Sequence, residues 1–205
     1  RKDGPLPRLE QAQELSDVVA KIAAAEPISE RERAVLRGGG SFGGAKPKAL
    51  IEIGVEQWVL KFFNNEPFDS PLVEHATMTL AAGAGIRVAE TQVITLADKL
   101  HAVAVRRFDR SGEQRIHGIS AGTALRAAAA AGQAPEMGYP ELALLLRRAG
   151  VAEGEANAQD AAELFRRMVF NILVDNTDDH EKNHSLLVVA PWDNGRFRLA
   201  PAYDV

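Results

Sequence analysis

Apolar positions recur along the chain with two different periods, and the change between them falls near residue 108. Leu15, Val18, Val19 and Ile22 lie on one helical stripe, which predicts an amphipathic helix over residues 9–25. Period-two alternation then takes over and predicts strands at about 48–53 and 57–63, joined at Gly54. In the second strand Trp58, Leu60 and Phe62 share one face, and Val59, Lys61 and Phe63 the other. Ser70-Pro71 predicts a helix start, a hydroxyl cap followed by proline at the first helical position, and Gly83 and Gly85 its stop. Two more strands fit at about 87–95 and 100–106, turning near Ala97-Asp98-Lys99.

Beyond Phe108-Asp109-Arg110-Ser111-Gly112 the period becomes helical, with helices predicted over about 120–131, 140–149 and 157–174. The last carries Leu164, Phe165, Met168, Val169, Ile172 and Leu173 at the spacing of a core-facing stripe. A polar loop (175–184) leads into a strand (185–190), a turn at Asp193-Asn194-Gly195 and a second strand (196–199), a hairpin pattern. The Gly38–Gly44 run is read as excluded from helix. The plan is an α+β chain of two lobes, β-rich over 1–108 with one inserted helix and α-rich over 109–205.

Composition narrows the classes. At 205 residues and 46% hydrophobic, the chain can bury a substantial core. A net charge of −4 without a Lys/Arg run argues against direct binding of DNA or an anionic membrane. The absence of cysteine removes disulfides and thiolate metal sites and fits a reducing cytoplasm. No apolar run reaches the roughly 18 residues of a membrane span, so a soluble cytoplasmic protein is expected. The sequence starts at Arg1 rather than Met and stops one residue after Asp204, so a fragment is expected, with Asp204 short of support behind it.

Several side chains point to phosphate chemistry. The Gly-rich segment Gly38–Gly44 suits close backbone approach to phosphates, but Ala45-Lys46 after Gly44 departs from a Walker loop, and a surface turn is the competing reading. Lys48 opens the following strand and either reaches a phosphate or is solvated. Lys61, between two large apolar neighbours on one strand face, is either an edge gatekeeper or an inward functional cation. It matches a kinase strand lysine that pairs with a helix glutamate, and Glu74 follows in the first turn of the Ser70 helix, one residue too late for a capping box. Asp178 and Asn183 stand in the spacing Asp-x-x-x-x-Asn of a kinase base and its metal-binding Asn. Asp179 beside them reads equally as a solvated loop charge, and Asp204 as a metal ligand or a turn residue. His180 and His184 lack a His-Glu-x-x-His signature and any cysteine, which argues against zinc; oxygen donors suit Mg²⁺.

Taken in order, Gly40-Ser-Phe-Gly-Gly-Ala-Lys-Pro-Lys-Ala49, Trp58-Val-Leu-Lys61, Arg107-Phe-Asp-Arg110, Asn176-Thr-Asp-Asp-His-Glu-Lys-Asn183 and Pro201-Ala-Tyr-Asp204 closely resemble the HipA family of bacterial toxin kinases. The resemblance implies a bilobal protein-kinase-like fold with ATP bound between the lobes. It also implies transfer of the ATP γ-phosphate to a Ser or Thr hydroxyl of a protein, aminoacyl-tRNA synthetases being among the family's targets. It makes Asp178 the catalytic base, Asn183 and Asp204 Mg²⁺ ligands and Lys61 the phosphate lysine, with Ser41, Phe42, Gly43, Gly44, Lys48, Glu74, His180 and Lys182 around the nucleotide. Ser41 falls where family members autophosphorylate, implying an off switch. The implied partner is a HipB-like helix-turn-helix antitoxin, with DNA reached only through it. Family members carry a β-rich part before this region and a helical bundle after the Tyr-Asp, so activity of the chain by itself is in question. Two other classes stay open: a catalytically silent nucleotide- or partner-binding module, and a small-molecule kinase with the same metal site.

Overall fold

The computed structural model describes residues 5–41, 48–63, 66–112, 114–129, 132–189 and 195–205. Its contacts divide the chain into two compact units, 1–76 with 90–107, and 77–89 with 108–205. One division falls between 107 and 108, and 77–89, expected in the β-rich part, belongs by its contacts to the helical unit.

The first unit begins with α1 (Ala12–Ala23), which buries Ala12, Leu15, Val18 and Val19. Ile22, expected on that stripe, lies exposed near the helix end. Next comes α2 (Glu30–Gly39), where no helix was predicted. A capping box starts it: Glu32 N–H donates to Ser29 Oγ at 3.3 Å, and Ser29 N–H to Glu32 Oε2 at 2.6 Å. This helix runs through Gly38 and Gly39, so the exclusion of helix from the glycine run fails at its first two residues.

Strands β1 (Gly40–Ser41), β2 (Lys48–Ile53) and β3 (Glu56–Phe62) follow, then α3 (Ser70–Gly83), β4 (Thr91–Thr95) and β5 (His101–Arg106). Among the described residues they form one five-stranded sheet, ordered β1-β2-β3-β5-β4 and antiparallel throughout. Gly54, at φ +64°, makes the β2–β3 turn that L side chains rarely adopt. Ala49, Ile51, Trp58, Leu60, Phe62, Ala102 and Ala104 form the core beneath α1. The cap of α3 is one residue earlier than Ser70: Asp69 Oδ1 accepts from Leu72 N–H at 3.2 Å, and its Oδ2 lies 2.6 Å from His101 Nδ1. Strand β4 starts at 91 rather than 87, because Ala89 N–H donates to the Ala202 carbonyl of the second unit's last segment instead.

The second unit opens with the hairpin β6 (Arg110–Ser111) and β7 (Gln114–Arg115), then β8 (Gly118–Ser120). Helices α4 (Ala121–Ala128), α5 (Tyr139–Ala149) and α6 (Ala156–Leu173) lead to β9 (Ser185–Val189) and β10 (Arg196–Leu199). Strand β9 lies between β10 and β8 in an antiparallel sheet. Ala121, Ala124, Leu142, Leu146, Leu164, Leu186 and Leu199 are the core of this unit.

Helix α6 forms where the period predicts it, but it is turned otherwise. Its buried positions are Ala156, Asp160, Glu163, Leu164, Arg167, Phe170 and Asn171, whereas Phe165, Ile172 and Leu173 are exposed. Charge satisfaction holds the polar face inside. Asp160 accepts from Arg87, Arg198 and the Leu199 N–H, and Glu163 from the Arg87 N–H, Arg166 and Arg167.

Candidate active site

In the first unit the strand alternation sets Lys61 on the face opposite the Trp58–Phe62 core. Lys61 Nζ lies 2.6 Å from Glu74 Oε1 of α3, and both side chains are mostly buried. Strand β3 is flanked by β2 and β5, so Lys61 is not an edge gatekeeper. Lys48 of β2 stands directly opposite Lys61 in the register, which puts two lysines on one sheet face. Like charges in that relation repel unless an anion lies between or beside them. Ser41, the last residue of β1, is the strand partner of Lys48. Phe42, Gly43 and Gly44 lie outside the described residues.

In the second unit α6 ends in a left-handed residue, Asp175 at φ +54°, and the chain turns back on the helix with Asn176 N–H donating to the Asn171 carbonyl at 2.9 Å. Asp178 follows with its side chain exposed. Its backbone is held twice: its N–H donates to Asn176 Oδ1 at 3.1 Å, and its carbonyl accepts from Asn183 Nδ2 at 3.0 Å. That second bond orients the Asn183 amide through its Nδ2. His180 and Lys182 are exposed beside them.

The two adjacent acids separate. Asp179 turns inward, accepting from the Tyr139 hydroxyl, and its Oδ1 lies 3.2 Å from His184 Nε2. Burial pushes the Asp179 carboxyl up, but its contacts with His184 and Tyr139 outweigh that and hold it below the ordinary value. Burial, then the Asp179 hydrogen bond, pushes the Tyr139 phenol up. These groups border a cavity of about 70 Å³ that Leu125, Met137 and Leu142 also line. Nothing in the pattern singled out Tyr139, which opens α5 forty residues before Asp179.

The segment leading to Asp204 is braced from within the unit. Buried Arg167 donates to the carbonyls of Ala200 at 2.8 Å and Arg87 at 3.3 Å, and Ala202 N–H donates to the Arg87 carbonyl at 2.8 Å. The run into Asp204 is therefore held from its N-terminal side. The Tyr203 hydroxyl donates to the Lys182 carbonyl at 2.6 Å and bonds the Ser185 hydroxyl at 3.0 Å, tying the residue before Asp204 to the residues flanking Asn183 and His184. Gly122 meets the same loop from α4, where an added Cβ would come within 2.5 Å of Glu181 Cγ. Among the described residues no group of three or more His, Cys, Asp or Glu is disposed to hold a metal. Asn183 and Asp204 suit Mg²⁺, which takes one or two protein oxygens and fills its shell with phosphate and water. No described helix is long and apolar enough to cross a membrane.

Comparison with known proteins gives these features a family. Residues 40–205 match the HipA-like C-terminal domain. Over 161 residues the chain is 32% identical to "Putative kinase Y4dM" of Sinorhizobium fredii (strain NBRC 101917 / NGR234), covering 72% of this chain and 36% of that protein. The fold resembles HipA of Shewanella oneidensis MR-1, solved with HipB and its operator DNA, at TM-score 0.63 and 20% identity, covering 93% of this chain and 49% of that one. It also resembles the Helicobacter pylori proinflammatory kinase CtkA, at TM-score 0.61 and 16% identity, covering 80% of this chain and 55% of that one. The chain thus spans about a third to a half of the length of these relatives. It has their kinase-like α+β fold and belongs to the HipA-like C-terminal domain family.

Proposed function

We propose that this region is the catalytic part of an ATP-dependent Ser/Thr protein kinase of the HipA type. The observation that carries the reading is the Lys61–Glu74 pair on an inner strand, with Lys48 opposite Lys61 on the same face. Such a pair orients a lysine toward nucleotide phosphates, and the second lysine supplies a further positive group for the same anion. The acceptor hydroxyl sits at the exposed Asp178 carboxylate, which takes its proton as the hydroxyl oxygen bonds to the γ-phosphorus. The bond from the γ-phosphorus to the bridging oxygen breaks, and ADP leaves. Asn183 and Asp204 would hold Mg²⁺, which when bound neutralises charge on the phosphates. His180 and Lys182, exposed on the same loop, flank the phosphates in this reading.

The natural full-length protein incubated with γ-labelled ATP, Mg²⁺ and cell lysate should yield a labelled protein band, weakened about 10²- to 10⁴-fold in Asp178→Asn. A labelled small molecule would instead make it a small-molecule kinase, and no label a silent binding module. Identification of the band tests an aminoacyl-tRNA synthetase as target. The reading extends to a cytoplasmic location and to a HipB-like antitoxin that alone contacts DNA. It includes Ser41 as an autophosphorylation switch: a phosphate there adds about two negative charges beside the nucleotide phosphates. Phosphopeptide mapping of the active protein should find Ser41 modified.

A further inference from the structure

The two acids of the catalytic loop are adjacent in sequence but opposite in environment. Asp179 is pinned inside the second unit, while Asp178 stays exposed. The contacts that pin it form a continuous circuit. It starts from Asp179 Oδ2, which accepts from the Tyr139 hydroxyl; His184 Nε2 stands 3.2 Å from Asp179 Oδ1 as an ion-pair contact without hydrogen-bond geometry. Tyr139 Oη accepts from Asn171 Nδ2 at 3.3 Å, and Asn171 Oδ1 accepts from Asn176 Nδ2 at 3.3 Å. Asn176 Oδ1 in turn accepts from the Asp178 N–H at 3.1 Å. The circuit closes through the peptide that joins 178 to 179. It draws on α5 and the end of α6, and the Tyr139 ring meets that of His184, the residue before β9, edge-on at 5.4 Å.

We propose, resting on the phosphotransfer reading above, that Tyr139, Asn171 and Asp179, with His184 behind them, are positioning residues that fix the backbone on both sides of Asp178 and so aim its carboxylate at the acceptor hydroxyl. None of them touches a reacting atom. A loop carrying one solvated acid needs no such circuit, and a carboxylate bonded by the Tyr139 hydroxyl with the His184 ring against it is a rigid anchor for the peptide beside it. Displacing a catalytic group by about 1 Å costs up to about 10²-fold in rate, so the anchor is read in turnover rather than in nucleotide binding.

The test uses the full-length protein with Tyr139→Phe, Asp179→Asn and the double variant, each assayed well below its melting temperature. Expected are a kcat about 10- to 100-fold lower, with KM for ATP within about twofold and one Mg-ATP bound per chain. The double variant should lose no more than the worse single one, because both break one circuit. A kcat unchanged from wild type, or losses that multiply and track a falling bound-nucleotide stoichiometry, overturns the proposal. NMR of the Asn183 side-chain amide and Asp178 backbone amide supplies a readout independent of activity. Both should shift in Asp179→Asn, and unmoved resonances also overturn the proposal. A wild-type protein that transfers no phosphate defeats the kinase reading instead, and the NMR comparison still decides the circuit.

Discussion

The Lys61–Glu74 pair and the Asp160–Glu163–Arg167 cluster are both ion pairs carried on regular structure, and they are built for opposite ends. Lys61 and Glu74 keep 13% and 14% of their side-chain surface in contact with solvent, and a second lysine stands across the strand. Asp160, Glu163 and Arg167 are essentially sealed, and apart from Arg167 Nη1, which has no partner among the described residues, their oxygens and protons are taken up by other arginines, backbone amides and carbonyls. A pair that keeps an opening can exchange a partner for a ligand. A sealed cluster bonded from several sides cannot, and it fixes α6 against the segments around Arg87 and Ala200. Charge on this chain therefore does two jobs, and burial together with the number of partners tells them apart.

The strongest test of that contrast sets Arg167→Met against Lys61→Met. Removing Arg167 takes the buried cation from Glu163 and the donor from the Ala200 carbonyl, and the variant should unfold about 3–5 kcal/mol more easily in urea. Lys61→Met should cost only about 1–2 kcal/mol of stability while lowering phosphotransfer about 10²-fold or more. Equal stability losses in the two variants would erase the distinction. A second comparison sharpens the orientation of α6: Leu164→Ala should cost about 2–5 kcal/mol, and Leu173→Ala, 78% exposed, should stay within about 0.5 kcal/mol. The smallest effect lies in the first unit, where Lys21, helped by the Ser29 backbone and hydroxyl, lowers the Glu32 carboxyl from 4.5 to about 2. A depressed carboxyl adds stability above its ordinary value and loses it as pH falls through the folded value. Wild type should thus be slightly more stable than Glu32→Gln at neutral pH, with the gap closing as pH falls from 4.5 toward 2 in an acid titration followed by circular dichroism.

What the chain disclosed beforehand follows the same division. Strand alternation gives a side chain a direction, and a helix start gives the next residues an offset, so Lys61 and Glu74 were readable together. The Ser29–Glu32 capping box was equally present, but its helix carries little apolar face and went unseen beside the glycine run. Helix α6 was legible as a helix and illegible in its rotation. Apolar counting places Phe165, Ile172 and Leu173 inside, whereas Arg87 and Arg198, distant in sequence, draw Asp160 inward. The circuit behind Asp178 was unreadable for the same reason: adjacency in sequence cannot say which of two acids finds a tyrosine forty residues away.

The carbonyls of the loop after α6 carry one more consequence. Glu181 O accepts from the Gly122 N–H, Lys182 O from the Tyr203 hydroxyl and His184 O from the Ala121 N–H. Residues 181–184 thus cannot fray on their own, because opening them pulls on the first turn of α4 and on the run into Asp204 at once. Their amides should exchange with deuterium as one cooperative block with β9, slowly and together, and a protease should pass over this loop despite its length and polarity.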